Sequence, residues 1–167
     1  MIPAARTKLW IFVDWDETIT SHDTLSLVAP PDSSEPGAPP PFSYFVQCYL
    51  KLMRDYEQSF GPRDTLEQQL AYLESLGPVE KTSVRKVEEK GLFKGVTEED
   101  LKKRAQQVEF RNGWKEFTEQ AMKRDNVQIM GILSVNWSTV FISSALRRIH
   151  DDAFMEQFEI RANVWSV

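Results

Sequence analysis

Short apolar runs stand near both ends of the chain, and apolar residues at helical spacing fill the region between them. Residues 9–13 (LWIFV) are apolar at every position, and residues 127–133 (VQIMGIL) form a second run that is apolar except at Gln128. Short runs rich in β-branched and aromatic residues are typical of strands that are covered on both faces of a parallel sheet. We therefore predict a strand at each run, with 9–13 as a central strand.

A helical region separates the two runs. The spacing of its apolar residues predicts helices over 42–60 and 64–76 and another that begins at Thr97, whereas 80–90 is either an exposed helix or a marginal one. Residues 30–41 include six prolines. Because proline removes a backbone donor and fixes φ, this segment is predicted to be a loop.

The helix predicted over 64–76 has a start signal and an apolar stripe. Asp64 is its predicted N-cap, with the side chain of Glu67 reaching back to that residue. The residues predicted to form its buried stripe are Leu66, Leu70, Leu73 and Leu76.

Strands and helices alternate from Gly113 onwards. The predicted elements are a helix over 113–124, a strand over 127–133, a helix over 139–149 and a strand over 158–164. This alternation implies βαβ units and a parallel sheet. The predicted fold class is therefore α/β, with a core made of residues 1–22 and 112–167 and an all-helical insertion at 23–111. His150, at a helix end, is expected to interact with the helix dipole.

Composition and charge narrow the classes of function. The 167 residues carry 20 basic and 25 acidic side chains, a formal charge of -5, which argues against a nucleic-acid partner because such proteins cluster Lys and Arg. No apolar run approaches the roughly 20 residues of a membrane-spanning helix, so no membrane partner is expected. Cys48 is the only cysteine, which excludes an internal disulfide and indicates a reducing compartment, taken here as the cytoplasm.

The residues that directly follow the first predicted strand can carry chemistry. Open α/β sheets bind ligands at the carboxyl ends of their strands. Asp14 and Asp16 are two residues apart, so on extended chain they point the same way. Two close carboxylates repel each other unless a cation such as Mg²⁺ lies between them or one carries a proton. The alternative interpretation is that these acids only end the strand and start a turn.

A second group of polar residues follows the strand at 127–133. Ser134 offers a hydroxyl at the strand end, and Ser138 is a candidate cap for the next helix. The free N–H groups of that helix start are a natural seat for phosphate. The alternative is a plain loop with a helix cap.

These motifs together resemble a known family. The run IFVDWDET at 11–18, the helical insertion after the first strand and the later strand that ends in Ser134 resemble the haloacid dehalogenase superfamily of phosphatases. Within it, the chain is most similar to phosphoserine and phosphoethanolamine phosphatases, which carry a helical cap. The resemblance implies a Rossmann-like parallel sheet core and a Mg²⁺-dependent phosphomonoesterase that acts through an aspartyl-phosphate on a small phosphorylated metabolite.

The resemblance also implies a role for each candidate residue. Asp14 would be the nucleophile. Asp16 would protonate the leaving alcohol and then take a proton from water. The Asp14 side chain and the Asp16 backbone carbonyl would bind Mg²⁺. Thr18, grouped with the phosphate-binding residues, would hold the motif loop in shape. Ser134 would donate a hydrogen bond to a phosphoryl oxygen, and Asn136 would contact phosphate or substrate.

Two further motifs of this family have no counterpart in the sequence. The family has a lysine and an acidic pair after the serine strand, but no lysine follows Lys123, and Asp151 and Asp152 follow a predicted helix. We therefore interpret the chain as a C-terminally shortened member that lacks half of the catalytic apparatus. Shortening would leave a sheet edge uncovered near 158–164, so a homodimer through an exposed edge or a swapped element is expected.

Two other classes of function compete with the phosphatase hypothesis. One is a non-catalytic relative that binds a phosphorylated ligand or a protein partner. The other is a phospho-acceptor switch of the response-regulator kind, which also uses clustered aspartates on a parallel sheet. The switch is the weaker alternative, because such proteins place the acceptor aspartate after a later inner strand and carry no large helical insertion.

Overall fold

Three strands form a parallel sheet in the computed structural model, which describes residues 8–163. The strands are β1 (Leu9–Val13), β2 (Val127–Leu133) and β3 (Phe158–Arg161). Their order in the sheet is β1-β2-β3. The predicted parallel sheet is confirmed, and Val164, the predicted end of the last strand, lies outside the described residues.

The first strand lies at an edge of this sheet, whereas its sequence pattern predicted a central position. Within residues 8–163, β1 pairs only with β2, and β2 is the strand with a neighbour on each side. Trp10, within its predicted apolar run, is 63% exposed. The pattern of 9–13 reports apolar character on both faces of a strand, but it does not specify how many neighbours the strand has.

Helices make up most of the remaining regular structure. In chain order they are α1 (Leu25–Val28), α2 (Phe42–Phe60), α3 (Leu66–Ser75), α4 (Gly77–Glu89), α5 (Glu98–Ala105), α6 (Trp114–Met122), α7 (Thr139–Leu146) and α8 (Asp152–Met155). None of the helices in the described part of the chain combines the length and apolar character needed to cross a bilayer.

The chain divides into two compact units. The first combines the described residues up to Val28 with those from Val96, and it contains the sheet; the second spans Ala29–Gly95. The predicted insertion at 23–111 is longer than the second unit, because α1 and α5 belong to the first. There α5 packs against both α1 and α7.

A short antiparallel stem closes the base of the insertion in the first unit. Thr20 and Phe110 form an isolated antiparallel bridge. On either side of it, the Ser21 N–H donates to the Glu109 carbonyl at 2.8 Å, and the Arg111 N–H donates to the Ile19 carbonyl at 2.9 Å. Within the first unit, this stem thus brings residues 109–111 next to the segment that directly follows the Asp14–Asp16 motif.

Both β2 and α7 contribute to the core of the first unit. The strand and the helix contribute side chains with no exposed surface: Met130, Ile132, Phe141, Ile142 and Leu146. The start of α7 is fixed by Ser138, whose hydroxyl accepts a hydrogen bond from the Phe141 N–H at 3.1 Å. The predicted cap at Ser138 is therefore confirmed.

The second unit contains α2, α3 and α4, and α2 packs against α4. Tyr72 is buried on α3, and its ring stacks on that of Tyr56 and meets that of Phe60 edge to face. The guanidinium of Arg63 lies 4.0 Å from the centre of the Tyr72 ring.

Two details of α3 differ from the sequence prediction. Its N-cap is Thr65 rather than Asp64, and Thr65 forms a capping box with Gln68. The predicted leucine stripe is not buried, since Leu66, Leu70 and Leu73 are 69%, 50% and 52% exposed. The helix turns its Tyr72 side inward because the aromatic residues of α2 lie there.

His150 is packed into the first unit instead of standing free at a helix end. Its side chain is buried, stacks on the ring of Phe154 at 3.8 Å and lies 3.4 Å from the hydroxyl of Thr118. Burial lowers the pKa of His150; the Lys115 ammonium acts in the same direction, and the carboxylates of Glu119 and Asp151 oppose it.

We expect the free energy of unfolding to fall when the pH is lowered from about 7.5 to about 5.5. A histidine with a lowered folded-state pKa contributes stability above its unfolded pKa, and this is lost as the pH falls through that value, since the unfolded chain binds the proton first. Urea unfolding should show a loss of stability between these pH values that is absent in His150→Gln. His22→Gln is the control, because it removes a histidine that is exposed. Equal pH dependence of stability in the wild type and in His150→Gln would contradict the assignment of this effect to His150.

Candidate active site

The predicted site residues follow the carboxyl ends of β1 and β2, at one end of the sheet. Val13 pairs with Ile132 in the parallel register, so Asp14 and Ser134 leave adjacent strands at the same end. Asp14 is exposed, and Asp16 and Ser134 are half-buried.

A tight turn holds the residues after Asp14. The N–H groups of Ile19 and Thr20 both donate to the Trp15 carbonyl, at 3.0 and 3.2 Å. Glu17 adopts a left-handed conformation with φ of 57°. The Thr20 hydroxyl accepts a hydrogen bond from the Glu17 N–H at 3.1 Å and donates to the His22 carbonyl at 2.7 Å.

Thr20 therefore has the structural role that was predicted for Thr18. Thr20 is fully buried, whereas Thr18 is exposed, and its hydroxyl has no hydrogen-bond partner within residues 8–163. The turn rotates the Thr18 side chain outward, because only the residue at its end faces back towards the Trp15 carbonyl. From the outside of the turn, Thr18 cannot hold the loop in shape.

The carboxylate of Asp16 is fixed by hydrogen bonds to both of its oxygens. Oδ1 accepts from the backbone N–H of Thr24 at 2.7 Å and from the Thr24 hydroxyl at 2.5 Å. Oδ2 accepts from the Asn136 amide at 3.3 Å. The Thr24 hydroxyl in turn accepts from the Trp15 indole at 2.9 Å and from Asn136 at 3.1 Å. Hydrogen bonds to a charged group are stronger than neutral ones, so this network orients Asp16 firmly.

Asn136 joins the two loops of the site. Its side chain is fully buried and reaches Asp16 and Thr24 across more than a hundred residues of sequence. Its backbone N–H donates to the Ser134 hydroxyl at 3.0 Å, and its side-chain oxygen accepts from the Ser138 N–H at 3.3 Å. The Ser134 oxygen is therefore positioned as an acceptor, which leaves its own O–H free to donate to a ligand.

Thr24 is the member of this network that the sequence analysis missed. It lies eight residues after Asp16 and is buried, with 3% of its surface exposed. No motif or periodicity marks it, because its contact with Asp16 depends on the turn between them. Asn136 was a candidate for contact with phosphate, but its amide is engaged by Asp16 and Thr24.

The surroundings of the motif are acidic. Burial raises the pKa of Asp23, a hydrogen bond from the Leu25 N–H opposes the shift, and the negative charges of Asp16 and Glu17 raise the pKa further. These carboxylates repel an anionic ester; the guanidinium of Arg111, which donates to the Glu17 carbonyl at 3.0 and 2.7 Å, offsets part of that repulsion, and a bound cation would offset more.

The site offers some of the oxygen ligands that Mg²⁺ requires. The ion prefers oxygen ligands, and the exposed Asp14 carboxylate and the Asp16 backbone carbonyl are of that type. The Asp16 carboxylate is already engaged, so its side chain is not a free ligand. Within residues 8–163 no group of three or more carboxylate, histidine or cysteine side chains could hold a metal. These residues fit a weakly held Mg²⁺ that keeps most of its waters.

Comparisons with known proteins place few constraints on this site. No model of a protein family matches the chain, and no solved structure matches it. CTO1 family protein C17G9.12c of Schizosaccharomyces pombe is 29% identical over 153 residues, which is 90% of this chain and 54% of the relative. The chain thus spans about half the length of the curated relative that it matches.

Proposed function

We propose that this chain is a phosphomonoesterase of the haloacid dehalogenase type, acting with Mg²⁺ on a small phosphorylated metabolite. One observation carries the proposal: an exposed carboxylate, Asp14, and a hydrogen-bonded one two residues later, Asp16, follow β1 at the same end of the sheet at which Ser134 follows β2. The parallel sheet and the helical insertion after β1 are compatible with the core and cap of that superfamily.

Asp14 is the nucleophile in this proposal because its carboxylate is the accessible one. A carboxylate oxygen of Asp14 attacks phosphorus, an O–P bond forms as the ester O–P bond breaks, and the alcohol leaves. Water then attacks phosphorus, which releases inorganic phosphate and restores the carboxylate. The covalent intermediate divides a very slow hydrolysis into two easier displacements.

Asp16 serves as the proton donor and acceptor. Its Oδ1 atom accepts two short hydrogen bonds from Thr24, while Oδ2 accepts a single longer one from Asn136. Oδ2 is therefore the oxygen that carries the proton to the leaving alcohol and later removes one from water. The network prevents the carboxylate from turning away, which keeps this oxygen directed at the reacting group.

Mg²⁺ would be held by the Asp14 carboxylate and the Asp16 backbone carbonyl. When bound, the ion neutralises charge that otherwise repels the phosphate from this acidic edge. Ser134 donates its hydroxyl hydrogen to a phosphoryl oxygen, since its own oxygen is held by the Asn136 N–H. A cytoplasmic location is consistent with a single, half-buried cysteine, Cys48.

A second candidate function is a non-catalytic module that binds a phosphorylated ligand or a protein partner. The small metal donor set favours it, because two oxygen donors hold Mg²⁺ weakly and a weakly held ion supports little turnover. The end of the sheet at Asp14 and the Ser134 hydroxyl would then bind a phosphate ester without cleaving it.

Hydrolysis of an aryl phosphate distinguishes the two functions. We expect release of inorganic phosphate that requires Mg²⁺ and stops when EDTA is added, because Asp14 and phosphate repel each other without the ion. The control is the same chain with Ca²⁺ in place of Mg²⁺, since a larger and less strictly octahedral ion should support turnover poorly. Thermal stabilisation by Mg²⁺ and phosphate without turnover would favour the binding module. A chain that shows neither turnover nor stabilisation would contradict both proposed functions.

A further inference from the structure

Cys48 and Lys86 form a close pair in the second unit. Cys48 lies on α2 and Lys86 on α4, the two helices that pack against each other there. The Lys86 ammonium donates a hydrogen bond to the Cys48 sulfur at 3.2 Å, and it lies 5.6 Å from the centre of the Tyr44 ring. A cation at this distance is attracted to the face of an aromatic ring. Two contacts therefore hold the lysine nitrogen beside the sulfur.

The pair lies beside a half-open cavity between the two helices. Cys48 and Lys86 both line this cavity, which has a volume of about 220 Å³. Cys48 itself is half-buried. A cavity of this size admits a molecule as small as hydrogen peroxide, since a water molecule takes up about 30 Å³. The sulfur is therefore accessible to a small oxidant.

The chemistry of a single oxidised cysteine selects the lysine as its reaction partner. A peroxide converts a thiolate to a sulfenic acid, which condenses with a thiol or a nitrogen or is oxidised irreversibly to a sulfinic acid. The sequence contains no second cysteine that could supply an internal thiol. A nitrogen nucleophile, Lys86, is already in contact with the Cys48 sulfur.

We propose that Cys48 and Lys86 form a modification site at which hydrogen peroxide joins the two side chains through a sulfenamide (S–N) bond. In the first step the Cys48 thiolate attacks the peroxide, an S–O bond forms, and the O–O bond breaks. The departing hydroxide takes a proton from the Lys86 ammonium and leaves as water. In the second step the Lys86 nitrogen attacks the sulfur, the S–O bond breaks, and the hydroxyl group leaves with a nitrogen proton as a second water. The sulfur loses two electrons, and these reduce the peroxide.

The electrostatics of the pair fit this order of steps. The hydrogen bond to Cys48 and its charge raise the pKa of Lys86, Tyr44 acts in the same direction, and desolvation opposes them. The lysine is therefore an ammonium at first, and an ammonium beside a sulfur stabilises the reactive thiolate. Oxidation of the sulfur removes this negative charge, so the Lys86 ammonium then releases its proton more readily.

The product ties α2 to α4 across 38 residues of sequence. Two equivalents of a thiol reverse the reaction, because they restore the Cys48 thiol and the Lys86 amine and are themselves oxidised to a disulfide. The site is independent of the proposed phosphatase activity, since neither residue belongs to the candidate active site.

Peptide mapping of the peroxide-treated chain tests the cross-link. Trypsin cleaves after lysine and arginine, so Cys48 falls within peptide 9–51, and a modified Lys86 falls at the start of peptide 86–90 because cleavage after it is blocked. We expect a linked product of these two peptides with a mass about 2 Da below their sum, since only two hydrogen atoms are lost. Dithiothreitol should release both peptides.

Two lysine variants separate the proposed reaction from oxidation in general. Lys86→Arg keeps the positive charge next to the sulfur, but a guanidinium stays protonated and does not attack it. This variant should give no linked peptide, and its Cys48 should instead become a sulfinic acid, about 32 Da heavier. Lys51→Arg is the matched control, because Lys51 lines the same cavity but pairs with Asp55. It should cross-link as the wild type does.

Three results would overturn the proposal. The first is a wild-type chain whose Cys48 stays reduced or forms sulfinic acid as readily as in Lys86→Arg, with no linked peptide. The second is a disulfide between two chains as the main product, which would make another Cys48 the partner. The third is a linked peptide about 16 Da heavier than expected, because a retained oxygen would mean an S–O–N bridge and not a condensation.

Discussion

Replacement of Gly131 by alanine is expected to lower the free energy of unfolding by about 3 kcal/mol, because β3 lies too close to β2 for a side chain at this position. Gly131 is buried in the central strand and pairs with Glu159. A Cβ atom there would lie 2.4 Å from the Glu159 carbonyl oxygen and 3.0 Å from its Cβ. Backbone cannot move aside as a side chain does, so the two strands must separate. Urea unfolding at neutral pH measures the loss.

Gly77 provides the control for this substitution. It is the first residue of α4, and a Cβ added there meets no atom within 4 Å. Gly77→Ala should change the free energy of unfolding by less than about 0.5 kcal/mol. A Gly131→Ala protein as stable as the wild type would mean that β2 and β3 are not paired in this register.

The strands were predictable because β1 and β2 are short, largely apolar segments, and because β3 alternates apolar with charged residues. Their parallel arrangement followed from the helices that separate them, since a strand, a helix and a strand return to one sheet in the same direction. The position of β1 at an edge was not predictable. The apolar residues of a strand predict that its faces are covered. Which strands form hydrogen bonds with it depends on segments that are distant in sequence.

Helix α3 shows where local patterns leave two choices open. Both Asp64 with Glu67 and Thr65 with Gln68 have the spacing of a capping box, and the structure uses the second pair. The leucines of α3 formed the clearest stripe, yet Tyr72 occupies the buried position. Packing of Tyr72 against Tyr56, Phe60 and Arg63 decides the orientation, and no residue inside α3 contains that information.

In the candidate site, placement was predictable and connectivity was not. The rule that strand ends carry function selected Asp14, Asp16 and Ser134, and the sheet brings them to one end. The contacts that orient Asp16 come from Thr24, beyond a turn, and from Asn136, beyond the whole insertion. Such contacts depend on how the chain folds back on itself, so sequence spacing does not encode them.

Asp14→Asn is expected to reduce Mg²⁺-dependent hydrolysis of an aryl phosphate by at least about 10³-fold, if the proposed function is right. The amide has nearly the same shape as the carboxylate, but it is a far weaker nucleophile and cannot form the acyl phosphate that the mechanism requires. Since Asp14 is exposed, its substitution should change the free energy of unfolding by less than about 0.5 kcal/mol. Loss of activity without loss of stability therefore reports on chemistry.

Asp55→Asn is the matched control for Asp14→Asn, because it removes an exposed carboxylate of the same size from α2. Asp55 forms an ion pair with Lys51 at 2.5 Å, and exposed pairs of this kind contribute little to stability. This variant should hydrolyse the aryl phosphate at the wild-type rate. If Asp14→Asn and Asp55→Asn retain equal activity, the nucleophile is not Asp14, and the arrangement of Asp16, Thr24 and Asn136 serves to fix the loop after β1 rather than to direct proton transfer.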